Sequence, residues 1–190
     1  MKPLLALLLL ATLQGVMPAA AGNDSKKYAP ISLTMTEAPG YFRSVSVGIP
    51  DGRDLEVQIE AIDQNPTKKW SSTAFVALFN DDTSVAYYLN LSTDRDLQKQ
   101  YIRARLVDKE LEKEISNYTH QELFSLQTVV TIKVHVNGKN VSSYINDTLI
   151  ETRELPFEPT YYDLGVSSGS YRLTVLDDVP PPAPESDAAG

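Results

Sequence analysis

The sequence contains no cysteine and only two histidines, and these shortages exclude several kinds of structural and catalytic site. Without cysteine, a disulfide framework, a thiolate zinc site and a thiol nucleophile are all impossible. The sequence pattern around His120 and His135 offers no catalytic triad. We therefore predict no catalytic residues and no cofactor.

Basic residues are also in short supply. Lysine and arginine number 17 against 25 aspartates and glutamates, which gives a formal charge of −8 at pH 7. A negative chain repels the phosphates of nucleic acids and the anionic surfaces of membranes, so neither is expected as a partner. The chain does have enough apolar material for one folded core, since 42% of its 190 residues are hydrophobic.

The apolar run near the N-terminus is too short for a permanent transmembrane helix. It covers Leu4–Leu13, follows the positive charge of Lys2 and precedes the small residues Ala19–Ala21. This order is typical of a secretory signal peptide. We therefore predict that residues 1–21 are removed and that the mature protein is secreted and extracellular, without membrane insertion.

The chain contains eight asparagines, and their placement is unusual. Five of the eight asparagines begin the motif Asn-x-Ser or Asn-x-Thr, which is the acceptor for N-linked glycans. Because that share is well above chance, we predict a glycoprotein with glycans on exposed positions. The candidate sites are Asn23, Asn90, Asn117, Asn140 and Asn146.

Most of the chain from Ile31 onward alternates between apolar and polar residues with a period of two, which predicts β-strands. Thr73–Asn80 is apolar at both alternating sets and therefore predicts a central strand. The predicted strands are Phe42–Ile49, Asp54–Ile62, Thr73–Asn80, Ser84–Leu91, Thr128–Asn137, Tyr161–Val166 and Gly169–Asp177.

Turn-forming residues separate these segments. They occur at Pro50–Gly52, Asn80–Asp82, Asn137–Gly138 and Ser167–Gly169. An Asn-Gly pair between two strand patterns favours a tight hairpin, so Lys139–Ile145 is predicted as the returning strand. Many short strands joined in this way indicate an all-β antiparallel sandwich.

One segment, residues 94–116, fits two structures. Leu97, Tyr101, Val107 and Leu111 recur at helical spacing, yet residues 101–107 also alternate as a strand. We predict a strand followed by a charged turn or one short helix near residues 108–116.

The predicted domain organisation has three parts after the leader. Residues 22–30 form a flexible lead-in, residues 31–178 form the β-sandwich, and residues 179–190 form a disordered, acidic and proline-rich tail.

The stretch from about Thr73 to Asp178 resembles the domain named for farnesoic acid O-methyltransferase. The similar segments are Ala74–Phe79, Tyr88–Leu91, Tyr101–Ala104, Thr131–Val134, Asn137–Lys139 and Tyr162–Ser167. The family name implies methyl transfer, but no glycine-rich loop follows a strand and opens a helix, as a nucleotide-type cofactor site requires. The resemblance therefore implies mainly a fold, the concanavalin-like jelly roll of galectins and many other lectins.

Glu56, Gln58 and Glu60 resemble the Glu-x-Asp-x-Glu strand of jelly-roll glucanases. In those enzymes the outer carboxylates perform the hydrolysis. The glutamine at the middle position and the single tryptophan of the chain argue against such an enzyme. We expect the solvated face of an amphipathic strand.

Trp70 and the turn Asn80–Asp82 are the candidate ligand-binding residues. An exposed loop tryptophan can stack on a sugar or anchor a partner, although it can also pack over the sandwich edge. Asp81 and Asp82, with Asp94 and Asp96 downstream, are weak candidates for calcium ligands, because turn formation explains them equally well.

Two classes of function remain open. The favoured one is a non-enzymatic binding module of lectin-like fold, which recognises carbohydrate or the surface of an extracellular protein. The alternative is an acidic structural or secreted-fluid component, such as a matrix, egg or venom protein, and a glycan-acting hydrolase is a remote third. The sequence leaves the oligomeric state undetermined.

Overall fold

The computed structural model describes residues 30–48, 54–64, 66, 69–94 and 96–176. The predicted signal peptide, most of the 22–30 lead-in, the Pro50–Gly52 turn and the 179–190 tail lie outside the described residues. Within the described residues every regular element is a β-strand. None of them belongs to a helix that could cross a membrane.

Ten strands make up the described part of the chain. In chain order they are β1 (Ile31–Gly48), β2 (Leu55–Gln64), β3 (Thr73–Phe79), β4 (Val85–Asp94), β5 (Lys99–Asp108), β6 (Lys113–Ser125), β7 (Val130–Asn137), β8 (Asn140–Ile145), β9 (Thr148–Glu154) and β10 (Tyr161–Val175). All their pairings are antiparallel. The all-β antiparallel prediction is confirmed.

Strand β10 is shared by two sheets that face each other. Its first half, Tyr161–Ser167, pairs with β3, and its second half, Gly169–Val175, pairs with β2. Along its other edge β1 follows both halves. The front sheet therefore runs β6–β5–β4–β3–β10–β1, and the back sheet runs β9–β8–β7–β2–β10–β1.

The β1–β10 ribbon bends where it passes from one sheet to the other. The register of β1 shifts between Glu37 and Phe42, Gly40 takes φ +88°, and Ser168 takes φ +55°. The Gly40 amide donates a 2.9 Å hydrogen bond to Oγ of Ser168. The prediction of a turn at Ser167–Gly169 is wrong. Because the Ser168 side chain accepts the Gly40 amide at the bend, β10 continues as a strand through these residues.

The core lies between the two sheets and is built from one alternating face of each strand. Representative members that are 0% exposed are Val57, Ile59, Leu89, Leu91, Ile102, Ile132, Val134, Leu164 and Leu173. They form one continuous hydrophobic cluster. The predicted alternation in β2, β4, β7 and β10 is therefore confirmed.

The ambiguous segment forms β5, a turn and β6, so the strand reading is confirmed and the short helix is wrong. The carboxylate of Asp108 accepts hydrogen bonds from the backbone amides of Glu110 and Leu111, at 3.0 and 3.1 Å, and closes the turn. Leu97 and Leu111, which belong to the apparent helical stripe, are 58% and 70% exposed. At this exposure neither side chain packs into the core, as the apolar face of an amphipathic helix would.

Candidate functional site

A groove of about 420 Å³ crosses the outer face of the front sheet. Because side chains alternate along a strand, residues between the core positions of β3, β4 and β5 point outward into it. Its aromatic members are Phe42, Trp70, Phe75, Tyr88 and Tyr101. Its polar members are Ser71, Thr73, Asn90, Ser92, Arg103, Arg105 and Ser167. We call these residues, with Val107, the front groove.

Aromatic rings continue beyond the groove across the outer face of the front sheet. The Tyr88 ring makes edge contacts with Phe75 and Phe79, both at 5.9 Å between centroids. Phe79 in turn stacks on Tyr161 at 5.5 Å. Gly165 allows this layer to lie flat, because a Cβ there would overlap the Phe75 ring and lie 2.7 Å from a backbone oxygen of β1. The rings hold one another in place, so the groove has a rigid apolar floor.

Trp70 stands at one end of the groove and is 45% exposed. One edge of its indole meets the bend of β1, where a Cβ on Gly40 would approach Nε1 to 3.0 Å. The ammonium group of Lys69 lies 5.0 Å from the ring centroid. The indole is therefore fixed along one edge and open to the groove, which combines the two placements considered for it from sequence.

The polar part of the groove centres on two arginines of β5. Nε of Arg103 donates to Oδ1 of Asn117 at 2.8 Å, and its Nη2 lies 3.1 Å from Oε2 of Glu114. Arg105 donates from Nε and Nη2 to Oδ1 of Asn90, at 3.0 and 2.8 Å, in the amide orientation that satisfies both side chains. These bonds fix both guanidinium groups above the sheet.

Arg105 and Tyr88 influence each other across this face. The Arg105 guanidinium lies 5.8 Å from the centroid of the Tyr88 ring, within the range of a cation–π contact. Burial raises the pKa of Tyr88, and the charge of Arg105 opposes that rise. Burial and then the neighbouring Arg103 lower the pKa of Arg105, so its positive charge is held in an unfavourable environment.

The structure does not bring the predicted ligand-binding residues together. Trp70 precedes β3 and Asn80–Asp82 follow it, so they lie beyond opposite ends of a seven-residue strand, which is about 20 Å long at ~3.3 Å per residue. Asp81 and Asp82 border a separate shallow depression with Lys109 and Glu110. Only Trp70 reaches the front groove.

Turn geometry accounts for the weak calcium candidates. Oδ1 of Asn80 accepts the Asp82 amide at 2.7 Å, and Oδ1 of Asp94 accepts the Asp96 amide at 2.9 Å. The second pair lies at the far end of β4 from the first. Among the described residues, no group of three His, Cys, Asp or Glu side chains is placed to hold a metal ion.

Asn90 lies on the outer face, as its position in β4 predicts, but its side chain is only 6% exposed. The expectation that it is an exposed glycan acceptor is wrong, because Arg105 covers it within the groove. Asn117, Asn140 and Asn146 are exposed, and Asn23 lies outside the described residues. The folded structure therefore leaves three of the described acceptor sites accessible.

The glucanase-like residues lie away from the groove. Glu56, Gln58 and Glu60 project from the outer face of the back sheet, and Glu60 forms an ion pair with Arg172. His135 is on the same sheet, where it and Lys133 both meet the Asp54 carboxylate. Partial burial of Asp54 works against ionisation, but these two partners outweigh it and lower the pKa of that carboxyl. The predicted surface position of His135 is confirmed, and Asp54 is an acidic partner that the sequence did not reveal.

No protein-family model and no curated protein matches the chain. Solved structures do. A structure described as belonging to endo-acting O-glycanases from the human gut microbiota has a TM-score of 0.52 and 14% identity, with 77% of each chain covered. A Crh5 transglycosylase in complex with NAG has a TM-score of 0.51 and 13% identity, covering 76% of this chain and 69% of that one.

A carbohydrate-binding module from Bacillus subtilis is also similar, with a TM-score of 0.48 and 14% identity over 74% of this chain and 81% of that one. The two antiparallel sheets described above, taken with the similarity to the O-glycanase and transglycosylase structures, determine the architecture. The chain has a concanavalin-like jelly-roll fold. At these identities the similarity shows the fold of the chain and leaves its activity to be argued from the groove.

The groove of this jelly roll contains residues that sequence reasoning did not select. Arg103 and Arg105 alternate with the core residues Ile102 and Ala104, so their outward direction follows from the pattern. Their convergence with Tyr88 and Trp70 depends on which residues of neighbouring strands lie opposite each other. A signal was present in β3, whose outward positions include the aromatic residues Phe75 and Phe79 although that face is not the core.

Proposed function

We propose that the chain is a secreted, N-glycosylated binding module that recognises carbohydrate in the front groove without catalysing a reaction. The observation that carries this proposal is the composition of the groove, in which fixed aromatic rings lie beside fixed hydrogen-bonding side chains. Its volume of about 420 Å³ falls within the usual range of ligand pockets, roughly 300–1,000 Å³.

Sugar chemistry fits this arrangement. A pyranose ring has an apolar C–H face, which Trp70 or Tyr101 can cover, and a rim of hydroxyl groups. Asn90, Arg103 and Ser92 offer donors and acceptors to that rim. Because the aromatic layer and the arginines are already held by their neighbours, little conformational freedom is lost when a ligand binds.

The carboxylates near the groove support a non-enzymatic role. Glycoside hydrolysis by the usual mechanism requires two carboxyl groups roughly 5–9.5 Å apart. The described residues that line the groove include neither Asp nor Glu. Glu114 on β6 and Asp163 on β10 flank it, but they are four strands apart, about 19 Å at ~4.8 Å per strand.

Secretion and glycosylation rest on the leader and on the exposed acceptor sites. Asn117, Asn140 and Asn146 are accessible on the folded domain. Treatment of protein from its native source with an N-glycosidase is expected to increase its gel mobility. Unmodified asparagines in the untreated protein would contradict this part of the proposal.

Membership of the farnesoic acid O-methyltransferase domain family is retained as a hypothesis. Four of the six segments that carry the resemblance lie in β3, β4, β5 and the first half of β10, and the other two lie in β7 and its turn to β8. The resemblance therefore extends over strands of both sheets, concerns the scaffold of the fold and gives no reason to expect methyl transfer.

A glycan array tests the proposed function. We expect specific binding by the wild-type protein and a loss of about tenfold or more in Trp70→Ala, because removing a stacking aromatic typically costs about 1.5–3 kcal/mol. Tyr144→Ala is the matched control, since it removes an aromatic ring from the back sheet. Absence of specific binding, with precipitation or assembly instead, would favour the acidic structural component.

A further inference from the structure

The front groove is a positively charged site on a negatively charged protein. Its lining includes two arginines, while the described lining residues include no carboxylate. The whole chain carries a formal charge of −8. Such local concentration of one sign attracts ligands of the opposite sign and repels competitors of the same sign.

Neighbouring side chains neutralise this charge only in part. Glu114 lies 3.1 Å from Nη2 of Arg103 and 3.8 Å from Nη1 of Arg105. One carboxylate therefore serves two guanidinium groups, and one positive charge is left over at this point of the face. Burial, together with the charge of Arg103, lowers the pKa of Arg105. An anion bound at this point would neutralise the remaining positive charge and would raise the pKa of Arg105.

The hydrogen bonds of the two arginines leave donors available. Asn117 and Glu114 occupy Nε and Nη2 of Arg103, and Asn90 occupies Nε and Nη2 of Arg105. On each residue Nη1 makes no hydrogen bond to a described side chain or backbone group. The two groups lie two residues apart on the same face of β5, about 6.6 Å along the strand at ~3.3 Å per residue.

We propose that the front groove selects anionic sugars, with the guanidinium groups of Arg105 and Arg103 binding the carboxylate or sulfate while the aromatic side chains hold the ring. This inference rests on the proposed function and names its ligand class. Arginine suits the role because its planar, permanently charged group can bind two oxygen atoms of one anion at once. Asn90 is a positioning residue, since it sets the plane of Arg105 from beneath.

Matched glycan pairs that differ only in charge provide the test. The probes are a tetragalacturonate against its methyl ester, sialyllactose against its methyl ester, and a sulfated lactose against lactose. We expect the wild-type protein to bind at least one acidic member about tenfold more tightly than its neutral partner at low salt, as a charge-assisted contact predicts. The three pairs distinguish uronate, sialic acid and sulfate as the preferred group.

Substitutions of the arginines separate the contribution of charge to binding from the contribution of the groove's shape. Arg105→Gln and Arg103→Gln should each reduce the preference for the acidic glycan and the salt dependence of its binding. Arg105→Lys should keep the salt dependence of binding but lose most of the preference for the acidic glycan. Arg103→Gln leaves the Asn90 contact intact, so it remains informative if Arg105→Gln folds poorly. Arg172→Gln is the control, because it removes an exposed arginine from the back sheet.

Two results would overturn the inference in different ways. Equal affinity for acidic and neutral members, with binding still lost in Trp70→Ala, would refute anion selection and leave carbohydrate binding intact. No binding of either class would refute the proposed function together with this inference. An acidic preference that persists unchanged in both glutamine variants would show that other residues recognise the anion.

Discussion

The phenolic group of Tyr87 connects the two sheets through the core. It projects inward from β4, is 1% exposed, and reaches Oγ of Ser143 on β8 and Oε2 of Glu151 on β9, each at 3.0 Å. Arg153 continues this connection, because it bonds Glu151 and also donates to Ser116 on β6. Polar side chains thus fasten the edge strands of the front and back sheets to each other.

Removing the Tyr87 hydroxyl is expected to destabilise the fold. Tyr87→Phe leaves buried Ser143 without one of its partners, and we expect the free energy of unfolding to fall by about 1–2 kcal/mol. Urea denaturation followed by tryptophan fluorescence measures it. Tyr88→Phe is the neighbouring control and should change stability by less than ~0.5 kcal/mol, because that ring faces outward. Equal effects in both variants would contradict the assigned connection.

The direction of single side chains was largely predictable from the sequence. In the pairs Tyr87–Tyr88 and Tyr161–Tyr162, one tyrosine of each pair is buried and the other faces outward, as alternation requires. What a given side chain meets was not predictable. Asn90 was correctly placed on the outer face, but its cover by Arg105 depends on the pairing of β4 with β5, which a single sequence does not determine.

At the scale of an element, β3 and β10 depend on a glycine at their contact. Gly165 lies opposite Phe75 in the pairing of these strands, and the Phe75 ring crosses it. The space that Gly165 leaves is therefore occupied on one side by an aromatic ring and on the other by the backbone of β1. Any residue with a Cβ at this position would overlap these neighbours, so the position requires glycine.

We expect Gly165→Ala to lower stability and to damage the groove. The added methyl group would lie 2.7 Å from the carbonyl oxygen of Arg43, so either β1 or the Phe75 ring must move. Overpacking of this kind costs about 1–3 kcal/mol. Thermal unfolding and glycan binding measure the two consequences. Gly48→Ala, which meets nothing within 4 Å, is the control, and a similar midpoint for both variants would contradict the argument.

Strands with one buried face were predictable, and edge strands were not. β2, β7 and β8 have alternating burial, because each covers the core with one face only. β3 and β4 also bury residues of their outer face. In β6 only Phe124 is buried, so its sequence has no period-two pattern to detect. The helical spacing at residues 94–116 depends on Leu97 and Leu111, which are exposed turn residues whose sequence no packing constrains.

At the scale of the molecule, four tyrosines make stability depend on alkaline pH. Burial raises the pKa of Tyr87, Tyr88, Tyr161 and Tyr171 above the usual value of about 10. Below pH 10 the folded and unfolded states both keep these protons. Above it the unfolded state loses them first, so each group lowers the free energy of unfolding as the pH rises.

The protein should therefore be less stable to urea at pH 11 than at pH 8. Absorbance of tyrosinate near 295 nm should rise at higher pH in the folded protein than in the urea-unfolded protein, since the folded state retains its tyrosine protons longer. A tyrosine titration that is the same in both states would contradict the raised pKa values. Replacing Tyr87 by Phe should remove part of the difference.

The shared strand β10 has a consequence for biosynthesis. Val175 pairs with Ile31, and the same strand joins β3 to β1, so neither sheet is complete until residues 161–175 are available. A nascent chain that has emerged only as far as β9 exposes unpaired backbone on β1, β2 and β3, which invites association with other chains. Long-range pairing of this kind also closes slowly. The domain is thus expected to complete its folding only after residues 161–175 have emerged from the ribosome.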